Sequence, residues 1–320
     1  MIKDRYLIVD GYNLFTRHYV AHPAMAENGE QVGGIVGFFN NLARQIMKCR
    51  PERVFILWEG GGSKRKRDLY PEYKRGGRPQ KLNRYYDDIP DTLKNRNYQI
   101  KSLIKLLSFV PVQQIYVEDA EADDAIGYMC QNVFRDKYKI ILSSDHDFYQ
   151  LINEKTIIWS PTLKAFVNDQ KVIDRFQVNP HNFCLAKCIV GDNSDNIPGI
   201  KGVGYKMLSK GLTELNSEIE VSISDVIDSC KEHVKVSKKK MYQNIIDNED
   251  LIRRNWKLVH LDLNNLNHFQ VQKIKNSIEN NEVVWKNIDA NRFLIKLGIK
   301  NIDLLACNQT FKILRKQNNG

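Results

Sequence analysis

Asp10, Glu59 and Asp145 each close a short apolar run, in "YLIVD", "VFILWE" and "KIILSSD". Further acids come in clusters: "EADD" supplies Glu121, Asp123 and Asp124, "SDHD" supplies Asp145 and Asp147, and "GDNSDN" supplies Asp192 and Asp195. Carboxylates brought this close raise one another's pKa and destabilise a fold. Hard divalent cations, Mg²⁺ or Mn²⁺, relieve that crowding through oxygen-only ligation. Two such ions about 4 Å apart can activate water and stabilise the leaving oxygen in phosphodiester hydrolysis. The acids of "EADD" also have a plainer reading, since a helix N-terminus favours negative charge. Asp145 and Asp147 stand two apart on one side of an extended segment, which turns His146 elsewhere, toward a phosphate or the surface.

To meet at one place, these acids need a scaffold. The runs ending in Asp10, Glu59 and Asp145, with "QQIYV", read as buried strands. "IVGFFNNLARQIMK", "DTLKNRNYQIKSLIKLLSFV" and "ADDAIGYMCQNVF" read as amphipathic helices between them. That alternation predicts a parallel α/β sheet, and sites in such sheets form outside the carboxyl ends of the strands. The last acid cluster runs into glycines, in "GDNSDNIPGIKGVG". Glycines at a turn before a helix allow backbone N–H groups to approach a phosphate closely. One stretch therefore carries both metal-type acids and a phosphate-type turn.

The rest of the chain is consistent with a polyanionic partner. Over 320 residues the formal net charge is +10, and its distribution is uneven. Between Lys64 and Arg84 lie Lys64, Arg65, Lys66, Arg67, Lys74, Arg75, Arg78, Lys81 and Arg84, against only Asp68 and Glu72. Tyr70, Tyr73, Tyr85 and Tyr86 are interleaved, a combination suited to the phosphates and bases of a single strand. Lys235 and Lys238–Lys240, with Arg253 and Arg254, read as an ordinary basic surface. Cys184 and Cys188 share a helical face and read as buried free thiols rather than metal ligands. No apolar run approaches the ~20 residues needed to span a bilayer, and no signal-type core opens the chain, so a cytoplasmic protein without membrane contact is expected.

The motifs together resemble the 5′-nuclease family (flap endonucleases and 5′–3′ exonucleases), especially its bacteriophage and bacterial polymerase-associated members. The likeness runs through "VDGYNLFTR", "RDLYPEYKRGGR", "EADD", "SSDHDFYQL" and "VNPHNFCLAKCIVGDNSDNIPGIKGVG". The resemblance implies an α/β fold: a PIN-like parallel-sheet nuclease domain over 1–177, with a helical arch at 62–91. A mainly helical helix–three-turn–helix DNA-binding module would follow at 178–265, then a helical extension and basic tail at 266–320. It implies metal-site roles for Asp10, Glu59, Glu121, Asp123, Asp124, Asp145, Asp147, Asp192 and Asp195. Arg17, Lys74 and Arg78 resemble the basic residues that hold the scissile phosphate. Lys64, Arg65, Lys66, Arg67, Arg75, Lys81 and Arg84, with Gly199, Lys201, Gly202, Gly204 and Lys206, are the implied DNA contacts.

By the same resemblance the cofactors are two Mg²⁺ ions, replaceable by Mn²⁺, with K⁺ at the glycine-rich turn. The expected substrates are DNA with a 5′ flap, nick or free 5′ end, and RNA–DNA hybrid in primer removal during replication. The expected setting is a monomer in a bacterial or phage-infected cell, served by a polymerase or single-strand-binding protein. Two departures stand out: Glu59 where the family usually has Asp, and an extra residue in "YKRGGR", which leaves either Arg75 or Arg78 for the phosphate. The alternative reading is a DNA-binding member of the fold with its catalysis weakened through Glu59.

Overall fold

The computed structural model describes residues 5–76, 93–279 and 283–318. The first half contains β1 (Arg5–Asp10), α1 (Gly11–Ala21), α2 (Gly33–Cys49), β2 (Arg53–Trp58), α3 (Lys64–Leu69), α4 (Leu93–Leu107) and β3 (Gln113–Tyr116). There follow α5 (Ala122–Tyr128), β4 (Tyr138–Leu142), β5 (Thr156–Ser160) and β6 (Ala165–Val167). Among the described residues the strands form one sheet in the order β3-β2-β1-β4-β5-β6, parallel except for β6 at the edge. Asp10 pairs with Leu57, and Val9 with both Ile56 and Leu142. The carboxyl ends of β1, β2 and β4 therefore share one edge, where the acids follow.

Leu7, Ile8 and Val9 are fully buried because both faces of the sheet are covered, so the strands read as continuous apolar runs. The helices beyond the sheet are α6 (Asp169–Phe176), α7 (Pro180–Val190), α8 (Tyr205–Gly211), α9 (Ile223–Val236), α10 (Lys240–Asp247) and α11 (Glu249–Val259). Last come α12 (His268–Glu279), α13 (Asn287–Lys296) and α14 (Leu304–Asn318). Ile8, Phe55 and Leu57 on one sheet face join a core that continues through Phe148 and Phe183 to Leu208 and Ile252. The helical half thus shares its apolar interior with the strands that carry the acids.

The opposite face buries Leu7, Val9 and Ile56 with Phe38 and Leu42 of α2 and with Phe311 and Leu314 of α14. Within the stretch that read as a basic tail, Phe311 and Leu314 dock α14 against α2. The helix expected across 122–134 is interrupted too, passing at Met129–Val133 into a π-helical turn where Gln131 bonds the Leu261 carbonyl at 2.9 Å. No helix among the described residues is long and apolar enough to cross a membrane.

Candidate active site

The acid edge is built by turns more than by strands. β4 stops at Leu142, and Ser143 and Ser144 then leave the sheet. The Ser143 hydroxyl donates to Asp10 Oδ2 at 3.0 Å and accepts from the Asp145 N–H at 3.1 Å. Asp145 caps a 3₁₀ turn, His146–Leu151, and accepts from the Asp147 N–H at 3.0 Å. Asp145 and Asp147 therefore converge through a cap and its first turn, not through the pleat of an extended segment. His146 packs against the rings of Tyr149 and Phe176. Asp10 caps α1 by accepting from the Asn13 N–H, while Asn13 Oδ1 receives the Ser144 N–H at 3.2 Å.

Asp123, in the first turn of α5, completes a group with Asp145 and Asp147: one oxygen from each lies within 4.8 Å of the others. This oxygen-only, like-charged set fits a hard divalent ion. Its electrostatics agree. Burial, reinforced by Asp145, pushes Asp123 well above the usual carboxylate range. Asp10 is pushed up to about 6, mainly by burial, with Asp145 adding to it against the Asn13 hydrogen bond. Glu59 lies one residue past β2, solvent-accessible but beside Glu121 and Asp10, and desolvation raises it to about 7 despite Lys74. Gly60 fixes this corner, since a Cβ there would lie 1.6 Å from the Val117 carbonyl oxygen.

Lysines answer the other acids. Lys66 Nζ stands 2.8 Å from Glu121 and 3.0 Å from Asp124, all three side chains at most 2% exposed. Lys74 Nζ contacts Glu121 at 2.8 Å, and the Tyr73 hydroxyl donates to the same carboxylate at 2.9 Å. Against its burial, Lys66 and Lys74 pull Glu121 down to about 2. Three expectations change accordingly. Lys66 is enclosed by acids and does not face a DNA strand. Asp124 pairs with Lys66 and accepts from Asn265 Nδ2 at 2.8 Å, and it is not among the three acids whose oxygens converge. Tyr73, buried against Glu121, offers no face for a base to stack on.

Asp192 and Asp195 sit in a tight turn bridged from Asp192 to Ile197. Lys187 of α7, a residue sequence reasoning passed over, bonds Asp147 and stands 2.7 Å from Asp192. Against burial, Lys187 holds Asp192 at about 2. Asp195 lies 3.8 Å from Lys74, and burial raises it. The Lys74 N–H also donates to the Asp195 carbonyl, and Asn196 Nδ2 donates to the carbonyls of Glu72 and Arg75. The acid turn is thereby bolted to the base of the expected arch. Arg17 Nη1 donates to Thr162, whose hydroxyl reaches Ser144, next to Asp145.

The remaining cations separate into groups. Lys64 pairs with Asp68, Arg75 with Glu72, Arg67 with the Gly61 carbonyl, and Arg65 with Asn265 and the Lys257 carbonyl. Residues 64–69 are helical, with Lys66 buried and the other five exposed. Arg78, Lys81, Arg84, Tyr85 and Tyr86 lie outside the described residues. In the glycine-rich stretch, Gly199 serves packing: a Cβ would come 1.8 Å from the Val190 carbonyl oxygen. Gly202, at φ +80°, and Gly204 have open space beside them. They border a groove of about 890 Å³ with Lys201, Lys206, Lys210, Lys239 and Lys240. Lys239 and Lys240, which read from the sequence as plain surface, thus share the face of the glycine turn. All six cysteines are buried free thiols.

The chain matches known proteins over both halves. Residues 5–177 match the family model of the 5′–3′ exonuclease N-terminal resolvase-like domain, and 178–282 that of the 5′–3′ exonuclease C-terminal SAM fold. A thermostable DNA polymerase I of Thermus thermophilus is 29% identical over 217 residues, 67% of this chain and 24% of the polymerase. The chain thus spans about a quarter of that relative's length. Flap endonuclease Xni of Shewanella woodyi is 28% identical over 260 residues, 81% of this chain and 93% of Xni. The crystal structure of T5 D15 protein with metal ions superposes with a TM-score of 0.64 at 20% identity, covering 95% of this chain and 99% of that one, a likeness of fold.

Proposed function

The chain belongs to the 5′–3′ exonuclease family, and from that premise we propose that it is a structure-specific 5′-nuclease. It hydrolyses phosphodiesters at flaps, nicks and free 5′ ends of DNA, and in RNA–DNA hybrid during primer removal. The observation that carries this reading is the carboxylate group Asp123–Asp145–Asp147 beside the lysine-bearing arch base. In this reading Asp123, Asp145 and Asp147, with Asp10 beside Asp145, hold one Mg²⁺, and Asp147, Asp192 and Asp195 would hold a second. Bound there, divalent ions supply an acidified water and charge stabilisation for the leaving oxygen. K⁺ at the glycine turn and Mn²⁺ as a substitute for Mg²⁺ belong to the same proposal, as do a monomeric state and a polymerase or single-strand-binding protein as partner.

The protein's own groups divide the work. Lys74, 37% exposed and already tied to Glu121, presents an ammonium at the edge of the acid group, where a scissile phosphate gathers negative charge. Arg17 approaches the same edge from α1 through Thr162 and Ser144. The Gly202–Gly204 turn and the lysines of its groove take a duplex phosphate by backbone and charge. Because Asn196 and Asp195 bind the arch base directly, grip and cut are held at a fixed separation. Water adds to phosphorus, one P–O ester bond breaks, and the departing oxygen takes a proton.

The test is cleavage of end-labelled flap, nicked, blunt and RNA–DNA substrates with Mg²⁺ and with excess chelator. Flap and nick cleavage should require the ion, while some DNA binding survives chelation. Undiminished cleavage in chelator would sink the metal mechanism.

A further inference from the structure

Lys187 is 5% exposed on α7, although a lysine stem is long enough to leave its ammonium in water. Its Nζ donates to Asp147 Oδ1 and lies 2.7 Å from Asp192 Oδ2. Asp147 also belongs to the three-acid group with Asp123 and Asp145. The ammonium therefore bridges the shared carboxylate of that group to the acid turn that follows α7. A divalent ion using Asp147 and Asp192 together would need the same place, because both kinds of cation seek the same oxygens.

Lys66 makes a similar bridge from Glu121 to Asp124, but there both carboxylates are at most 2% exposed and the lysine has nowhere else to go. On the Lys187 side, the Asp192 side chain is 21% exposed. That border with solvent gives the ammonium a route to a new anion. We infer that Lys187 is a tethered cation that holds the place of the second divalent ion in the free enzyme and yields it when a substrate phosphate draws the ammonium away. The inference rests on the reading that these acids bind divalent ions. Lys187 is in these terms a gate on ion loading and a positioning residue for Asp147 and Asp192.

The experiment follows Mn²⁺ binding to the full chain without DNA, by calorimetry and by the electron paramagnetic resonance of coupled ion pairs. Wild type should take one ion tightly and a second weakly. Lys187→Met, similar in length but uncharged, should tighten the second ion by at least about tenfold, since a positive charge beside the site is gone. Lys187→Arg should not. In wild type, a non-cleavable phosphorothioate flap should bring up the coupled-pair signal, a measurement that needs no variant to fold. The inference is overturned if the folded Lys187→Met protein binds the second ion no better than wild type. It is also overturned if wild type binds two ions equally well without DNA. If no Mn²⁺ binds to any of these proteins, it is the metal reading itself that fails.

Discussion

Glu121 and Asp123 stand two residues apart at the start of α5, yet their surroundings are opposite. Glu121 faces Lys66, Lys74 and the Tyr73 hydroxyl, and is held at about 2. Asp123 faces Asp145 and Asp147, and burial with Asp145 drives it up. The same residue class in one tetrapeptide thus serves two ends. Acids answered by the protein's own lysines lock the arch base to the sheet edge. Asp123 and Asp145 have less of that help, since Lys187 reaches only the third member, Asp147, and the repulsion they store is what an outside cation would relieve. Their type does not distinguish them; their partners do.

The sharpest way to break this comparison is to neutralise one member on the unanswered side. Asp123→Asn should lower the cleavage rate on the order of a thousandfold, as losing a preorganised charge in a reaction centre does. In chelator, however, its thermal midpoint should equal or exceed that of wild type, because a repelling charge is gone. Activity and stability should move in opposite directions. An Asp123→Asn protein that melts well below wild type in chelator would show that Asp123 was already satisfied.

Neutralising the answering side should reverse the pattern. Lys66→Met leaves Glu121 and Asp124 buried with one cation fewer, and breaking a buried pair from one side costs about 3–5 kcal/mol. Its thermal midpoint should fall by several degrees, in Mg²⁺ as in chelator. Cleavage per folded molecule should drop far less than in Asp123→Asn, since Lys66 does not reach the substrate. Equal stability of Lys66→Met and wild type would remove the structural role given to this lysine.

How much of this could be read from the sequence follows from the same distinction. Strands ending near Asp10 and Glu59 were legible because an apolar run buried on both faces needs no partner to declare itself. The convergence of Asp145 and Asp147 was legible as well, though for the wrong local reason: the Ser143 hydroxyl, not the pleat, sets their geometry. Lys66 and Lys187 were not legible in their roles. In a run of four cations a buried lysine looks like its neighbours, and Lys187 sits in a helix 40 residues from Asp147 in sequence. A signal existed for Lys187, since a lone charge inside "FCLAKCIV" has to find a counter-charge, but not for Lys66. The docking of α14 was hidden similarly, because the polar run "RKQN" at its end masked the apolar positions before it.

The smallest expected effect tests whether the unanswered acids really hold protons that an ion must displace. Asp10 is raised by burial from an ordinary 3.8 to about 6, and burial raises Asp123 well above the same starting point. A raised carboxyl contributes stability that is present below its unfolded pKa, near 4, and is lost as pH climbs through the folded value. Metal-free protein should therefore lose the Asp10 contribution between about pH 4 and pH 6, and the Asp123 contribution is lost in the same direction as pH rises. Glu121 acts oppositely, but its contribution is complete above 4.5 and fades only toward pH 2. His18, lowered to about 4 by burial, gains stability as pH rises through the same interval and would mask the loss in a simple scan. The difference between midpoints measured with Mg²⁺ and with chelator removes that masking, because His18 sits in α1 packed against Gly37 of α2 and lies outside the acid group. That difference should widen from pH 5 to pH 7.5, with Asp10 alone contributing roughly 1.4 kcal/mol per pH unit while it remains protonated. Carboxylates of ordinary pKa would already be ionised at pH 5 and give a flat difference. A flat difference would therefore place Asp10 and Asp123 with the answered acids and dissolve the contrast with Glu121.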